Sequence, residues 1–182
     1  MELPLISPAS NTFLKNWPAY NGFNCDAIDE YAGKCLTTHG LQTYTPQLSA
    51  VTTPTAIGTG NIVGYYYELF DQIFTWGEFR FGASGASAGT GAWMVTLPFP
   101  ATNLLGFSTT IGAAPIVGNG YYWENSSGLA RFPLTVHLRT STLMMFGYYM
   151  GSTASRELGQ NSPVPVDPLD GASWCARYQR EE

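Results

Sequence analysis

Residues Thr43–Phe99 read TYTPQLSAVTTPTAIGTGNIVGYYYELFDQIFTWGEFRFGASGASAGTGAWMVTLPF. Aromatic and β-branched runs alternate there with Gly, Ser and Thr clusters, and the only formally charged residues are Glu68, Asp71, Glu78 and Arg80. Runs of this composition closed by glycine turns form strands, and so little charge leaves few groups for an active site. Within Ile73–Phe81 the period is two: Ile73, Gly77, Phe79 and Phe81 share one face, and Phe74, Trp76, Glu78 and Arg80 share the other. Large apolar groups on both faces predict a strand covered on two sides.

The same period continues outward. In Leu129–Arg139, Phe132, Leu134, Val136 and Leu138 alternate with Arg131, Thr135, His137 and Arg139, which predicts a wet face carrying His137 as a surface residue. Thr142–Met150 is apolar on both faces, as in a central strand or a subunit contact. The last run puts Trp174, Ala176 and Tyr178 on one side and Cys175, Arg177 and Gln179 on the other. With Ile62–Leu69, Trp93–Leu97, Leu104–Ile111 and Ile116–Trp123 the total is about eight short strands. An all-β fold is predicted for residues 41–182, a jelly-roll-like antiparallel β-sandwich.

Residues 1–40 differ. Pro4, Pro8 and Pro18 among Phe13, Trp17 and Tyr20 predict an extended docking arm over residues 1–22. From Asn24 to Gly40, Ile28, Tyr31, Ala32 and Cys35 recur at helical spacing, with acids early and Lys34 late, so one short helix is expected.

Tyr44-Thr45-Pro46, the Gly58-Thr59-Gly60 turn, Trp76-Gly77, Phe81-Gly82 and Leu97-Pro98 together form a pattern. It resembles a β-rich module of minor tail proteins, tail fibres and related virion structural proteins of phages that infect actinobacteria. The likeness covers residues 43–99 well and the rest loosely. Phe70-Asp71 stands where the pattern often carries a glycine. The resemblance implies a virion structural role, a homotrimer, and contacts with other virion proteins.

Composition narrows the field independently. A chain of 182 residues can bury roughly 70% of its unfolded surface without disulfides or metals. Charged residues are 12% of the chain, about half the usual share, which suggests surface covered by other subunits. A net charge of −5 with eight Lys and Arg, none clustered, argues against nucleic-acid binding. Cys25, Cys35 and Cys175 form no metal-ligand spacing or disulfide framework and are expected as buried thiols, and no metal or cofactor is indicated. No apolar run reaches the ~18 residues of a membrane span, and no basic segment leads an apolar one. Synthesis in the host cytoplasm without export is expected, followed by assembly into a virion.

Motifs of catalysis are weak. Gly85-Ala86-Ser87-Ala88-Gly89 spells the serine-hydrolase pattern but lies between strands rather than at a strand-to-helix elbow. Gly58-Thr59-Gly60 lacks the helix and Gly-Lys-Ser/Thr of a phosphate loop. Asp26 with Glu30, or Asp167 with Asp170, could pair for glycoside hydrolysis, but both pairs flank the strands. His39 suits a helix C-terminus. Binding is better served: Tyr65-Tyr66-Tyr67, Tyr121-Tyr122-Trp123, Trp76 and Trp93 offer rings for a host cell-surface glycan or a protein interface, or for a core and a trimer axis. A non-enzymatic minor tail, tail-tip or fibre component is expected. A capsid decoration protein or head fibre, or a free carbohydrate-binding module, stands as the alternative.

Overall fold

A computed structural model describes residues 40–103, 106–125, 131–149, 155–160 and 165–181. The docking arm with Phe13, Trp17 and Tyr20, and the short helix after it, lie outside the described residues. Leu41–Glu182 forms one compact unit. Its strands are β1 (Gln42–Tyr44), β2 (Leu48–Ala50), β3 (Ala56–Ile57), β4 (Asn61–Leu69), β5 (Gln72–Arg80), β6 (Ala86–Ser87), β7 (Trp93–Thr96), β8 (Ile116–Trp123), β9 (Arg131–Leu138), β10 (Leu143–Tyr149), β11 (Ser155–Glu157) and β12 (Gly171–Gln179). No helix occurs among the described residues.

The two-residue period of β5 is realised directly. Ile73, Thr75, Gly77 and Phe79 are buried, while Phe74 and Trp76 are half-buried and Glu78 and Arg80 exposed. In β12, Ala172, Trp174, Ala176 and Tyr178 likewise face in. The strands form one antiparallel sheet in the order β1-β4-β5-β12-β8-β9-β10-β7-β2, with β11 also beside β10 and a small β3-β6 pair apart.

The sheet is curled, and the chain path shows why. β1 and β2 stand at opposite ends of the strand order, yet only Thr45-Pro46-Gln47 separates them. So short a link forces the two ends of the sheet toward each other. Gln47 N–H donates to Thr96 Oγ1 at 2.9 Å, Thr96 N–H donates to Gln47 O at 3.2 Å, and the Tyr44 hydroxyl lies 3.2 Å from Thr75 Oγ1. Inside the curl, Phe79, Phe81 and Trp93 meet with ring centroids 5.2–5.7 Å apart, joined by Val95, Tyr122, Val136, Phe146, Tyr148 and Trp174. Each such side chain contributes about 1.5–3 kcal/mol by leaving water.

Two expectations are corrected at β9 and β10. Leu104–Ile111 is no strand over its described residues 106–111: Gly106 takes φ +79°, and Thr110 N–H donates to Ser108 Oγ at 3.1 Å. Local side-chain-to-backbone bonding has replaced ladder pairing. The segment lies instead across the second face of the sheet, where Ile111 and Ala114 pack on Met94 and Met145. His137 is therefore 1% exposed rather than wet, with Nδ1 3.0 Å from Ala114 O and Nε2 2.8 Å from Thr135 Oγ1. Burial lowers its proton affinity. The same cover explains why β10 is apolar on both faces.

Candidate functional site

The outward face of β4, β5, β12 and β8 gathers the exposed aromatic and charged groups. Alternation splits each aromatic triplet. Tyr65 and Tyr67 point outward, while Tyr66 turns in against Tyr44 and Phe99 at 6.0 and 5.2 Å. Tyr121, 56% exposed, and Trp123 point outward, while Tyr122 is fully buried. Of the eight aromatic positions singled out from sequence, Trp93 and Tyr122 are thus core residues: both have no exposed surface, and the Trp93 indole N–H donates to Ala88 O at 2.8 Å. They cannot meet a ligand.

Register brings the outward rings together. Tyr65 pairs with Trp76, and Tyr67 with Phe74. Tyr67 and Phe74 stack at 4.6 Å and 7°, Tyr65 and Trp76 at 6.0 Å and 24°. On the far side Phe74 pairs with Arg177, whose guanidinium sits 5.3 Å over the ring. Cys175, paired with Trp76, is exposed, against the expectation of a buried thiol; Cys25 and Cys35 lie outside the described residues.

Beside this aromatic row the face turns polar. Arg80, Gly171, Trp123 and Arg131 occupy one line across β5, β12, β8 and β9. A Cβ on Gly171 would stand 2.3 Å from Phe79 O and 2.5 Å from Trp123 Cζ2, so the indole and the neighbouring backbone together leave no room for a side chain there. Glu78, Arg80, Trp123, Asn125 and Arg131 line an open groove of about 390 Å³.

A buried carboxyl supports the groove from behind. Asp170, with no exposed surface, accepts hydrogen bonds from the Tyr122 hydroxyl at 2.8 Å, Asn125 N–H at 2.7 Å and Asp167 N–H at 2.8 Å. Burial first, and then Asp170, push the Tyr122 phenol far above its ordinary range. The adjacent Leu169 adopts φ +74°, which turns its carbonyl to accept from Arg80 Nε at 3.1 Å. The sequence grouped Asp167 and Asp170 as an acid pair outside the strands; Asp170 instead fixes a turn inside the body. Asp26 and Glu30, like His39, lie outside the described residues.

Ser87 sits on β6, paired with β3, and its Oγ accepts from Gly89 N–H at 3.4 Å. No helix follows it among the described residues. There is also no cluster of three His, Cys, Asp or Glu suited to a metal among the described residues, and no helix long and apolar enough to cross a membrane.

The chain matches no protein-family model, no curated protein and no solved structure.

Phe74, Glu78, Arg80, Asn125, Arg131 and Arg177 were not singled out from sequence as site residues. For Phe74, Glu78 and Arg80 the signal existed, since they share a face with Trp76. Arg131 and Arg177 reach the site only through strand order.

Proposed function

We propose that this chain is a non-enzymatic structural and binding component of a phage virion: a minor tail, tail-tip or fibre protein held by its N-terminal region, with the β body facing outward. The observation that carries this reading is the half-exposed row Tyr65, Tyr67, Phe74 and Trp76 on the outer sheet face. Rigid rings stacked on a sheet lose little entropy when they meet a sugar or a protein surface. The low share of charge and the resemblance of residues 43–99 to tail modules point the same way. In this reading the curled sheet is a jelly-roll-like sandwich, and the chain acts as a homotrimer beside other virion proteins, reaching a host surface glycan.

Particles assembled with a C-terminally tagged copy test the assignment. Immunogold label at the tail tip or fibres is the expected result, and label on the head would favour a decoration protein or head fibre. Particles without label would refute the virion role. Light scattering of the purified chain should give a mass near three times 19.8 kDa.

A free carbohydrate-binding module is the second reading, favoured by the groove beside Trp123. It predicts a monomer that binds glycan without any particle.

A further inference from the structure

We infer that the groove between Glu78, Arg80, Trp123, Asn125 and Arg131 binds an acidic saccharide, a pyranose bearing a carboxylate. The inference deepens the outward-facing role proposed above by naming a ligand class for one part of that face.

Three features make the groove a built site rather than a gap between side chains. Its indole sits against Gly171, where a side chain would have no room. Its Arg80 is aimed by the Leu169 carbonyl, presented from a left-handed backbone that a leucine adopts only under strain. Its Asn125 backbone is tied to the buried Asp170 carboxyl. Groups held this way lose little freedom on binding.

The chemistry of the lining selects the ligand. Arg80 uses Nε on Leu169 and keeps its terminal nitrogens for other partners. No side-chain hydrogen bond or ion pair joins Arg131 or Glu78 to another described residue. Two guanidinium groups and one carboxylate line the groove itself, while the Asp170 carboxyl behind it is already engaged by three donors. Guanidinium forks match a carboxylate in two parallel hydrogen bonds. Glu78 is exposed and offers acceptor oxygens to a hydroxyl donor, which a pyranose supplies and a simple inorganic anion lacks. The indole of Trp123 suits the apolar face of a sugar ring. The volume lies near the lower end of small-ligand pockets, about 300–1,000 Å³, as a short saccharide requires.

Titration calorimetry on the full-length protein tests this with galacturonate, glucuronate and sialate trisaccharides, each beside its methyl ester. The esters keep the rings and hydroxyls and lose the charge. At least one acid is expected to bind at least tenfold more tightly than its ester. Trp123→Ala should abolish that binding, and Arg80→Gln and Arg131→Gln should each weaken it at least tenfold. Leu41→Ala, at an exposed position outside the groove and outside the aromatic row, should leave it unchanged. If Arg131→Gln does not fold, Arg131→Lys serves: it keeps the charge, loses the fork, and should still weaken binding severalfold. Failure of all three acids to bind, equal binding of acid and ester, or equally tight binding of sodium sulfate would overturn the inference. Particles lacking the protein would remove the virion role and leave a positive uronate result intact, so the two failures are separable.

Discussion

Replacing Asp170 should unfold the body at a cost that depends on how many of three donors lose their acceptor. The carboxyl accepts from the Tyr122 hydroxyl, Asn125 N–H and Asp167 N–H, all at 2.7–2.8 Å and with no exposed surface on Asp170. Hydrogen bonds to a charged group are worth about 1.5–3 kcal/mol each, and the freed desolvation of the carboxylate offsets part of their sum. Asp170→Ala is expected to cost about 3–5 kcal/mol, in the range of broken buried networks. Asp170→Asn keeps one acceptor oxygen. Placed at Oδ2 it retains Tyr122 and Asp167, and only Asn125 N–H then faces an amide N–H, so about 1–3 kcal/mol is expected. Tyr122→Phe removes a single donor and should cost less than Asp170→Ala. Urea unfolding followed by tryptophan fluorescence gives these values from the midpoints, provided the slope is unchanged. The reasoning fails if Asp170→Ala falls within about 1 kcal/mol of the parent, or if Asn is as damaging as Ala.

Three further outcomes are expected. Phe70, 57% exposed at the β4–β5 turn with φ +59°, should gain from Phe70→Gly: relief of about 1–2 kcal/mol of strain, less about 0.5–1 for glycine entropy, predicts a slightly higher melting temperature, and a lower one would count against strain at the turn. Burial depresses the His137 imidazole below its ordinary pKa of 6.5, so below that pH the unfolded chain binds a proton the folded chain refuses. Stability from this residue is therefore flat above pH 6.5 and falls on acidification by up to about 1.4 kcal/mol per pH unit; urea midpoints for parent and His137→Gln between pH 7 and 5 should diverge, and parallel curves would contradict the burial. In a Cys25→Ser, Cys35→Ser background, Cys175 should react with a thiol reagent in the native protein at nearly its unfolded rate, whereas protection until unfolding would place it inside the sheet.

The all-β class and the inward and outward sides of β5 and β12 were readable in the chain itself, because side-chain direction in a strand follows from parity alone. Parity also required each aromatic triplet to split, and it put Phe74, Trp76, Glu78 and Arg80 on one face before any fold was known. It could not say which face was covered. His137 read as a wet residue because nothing local shows that residues 106–115 cross over β9 and β10; that cover is a long-range event. Whether Trp93 and Tyr122 face a ligand or fill a core stayed open in the sequence for the same reason, since a tryptophan in the core and one at a surface can have the same neighbours in sequence. Strand order decided the rest. Arg80, Gly171 and the neighbouring pair Trp123 and Arg131 are far apart in the chain and become one line only when β12 inserts between β5 and β8. Local periodicity sets which way a side chain points, and only the pairing of distant strands sets what it meets.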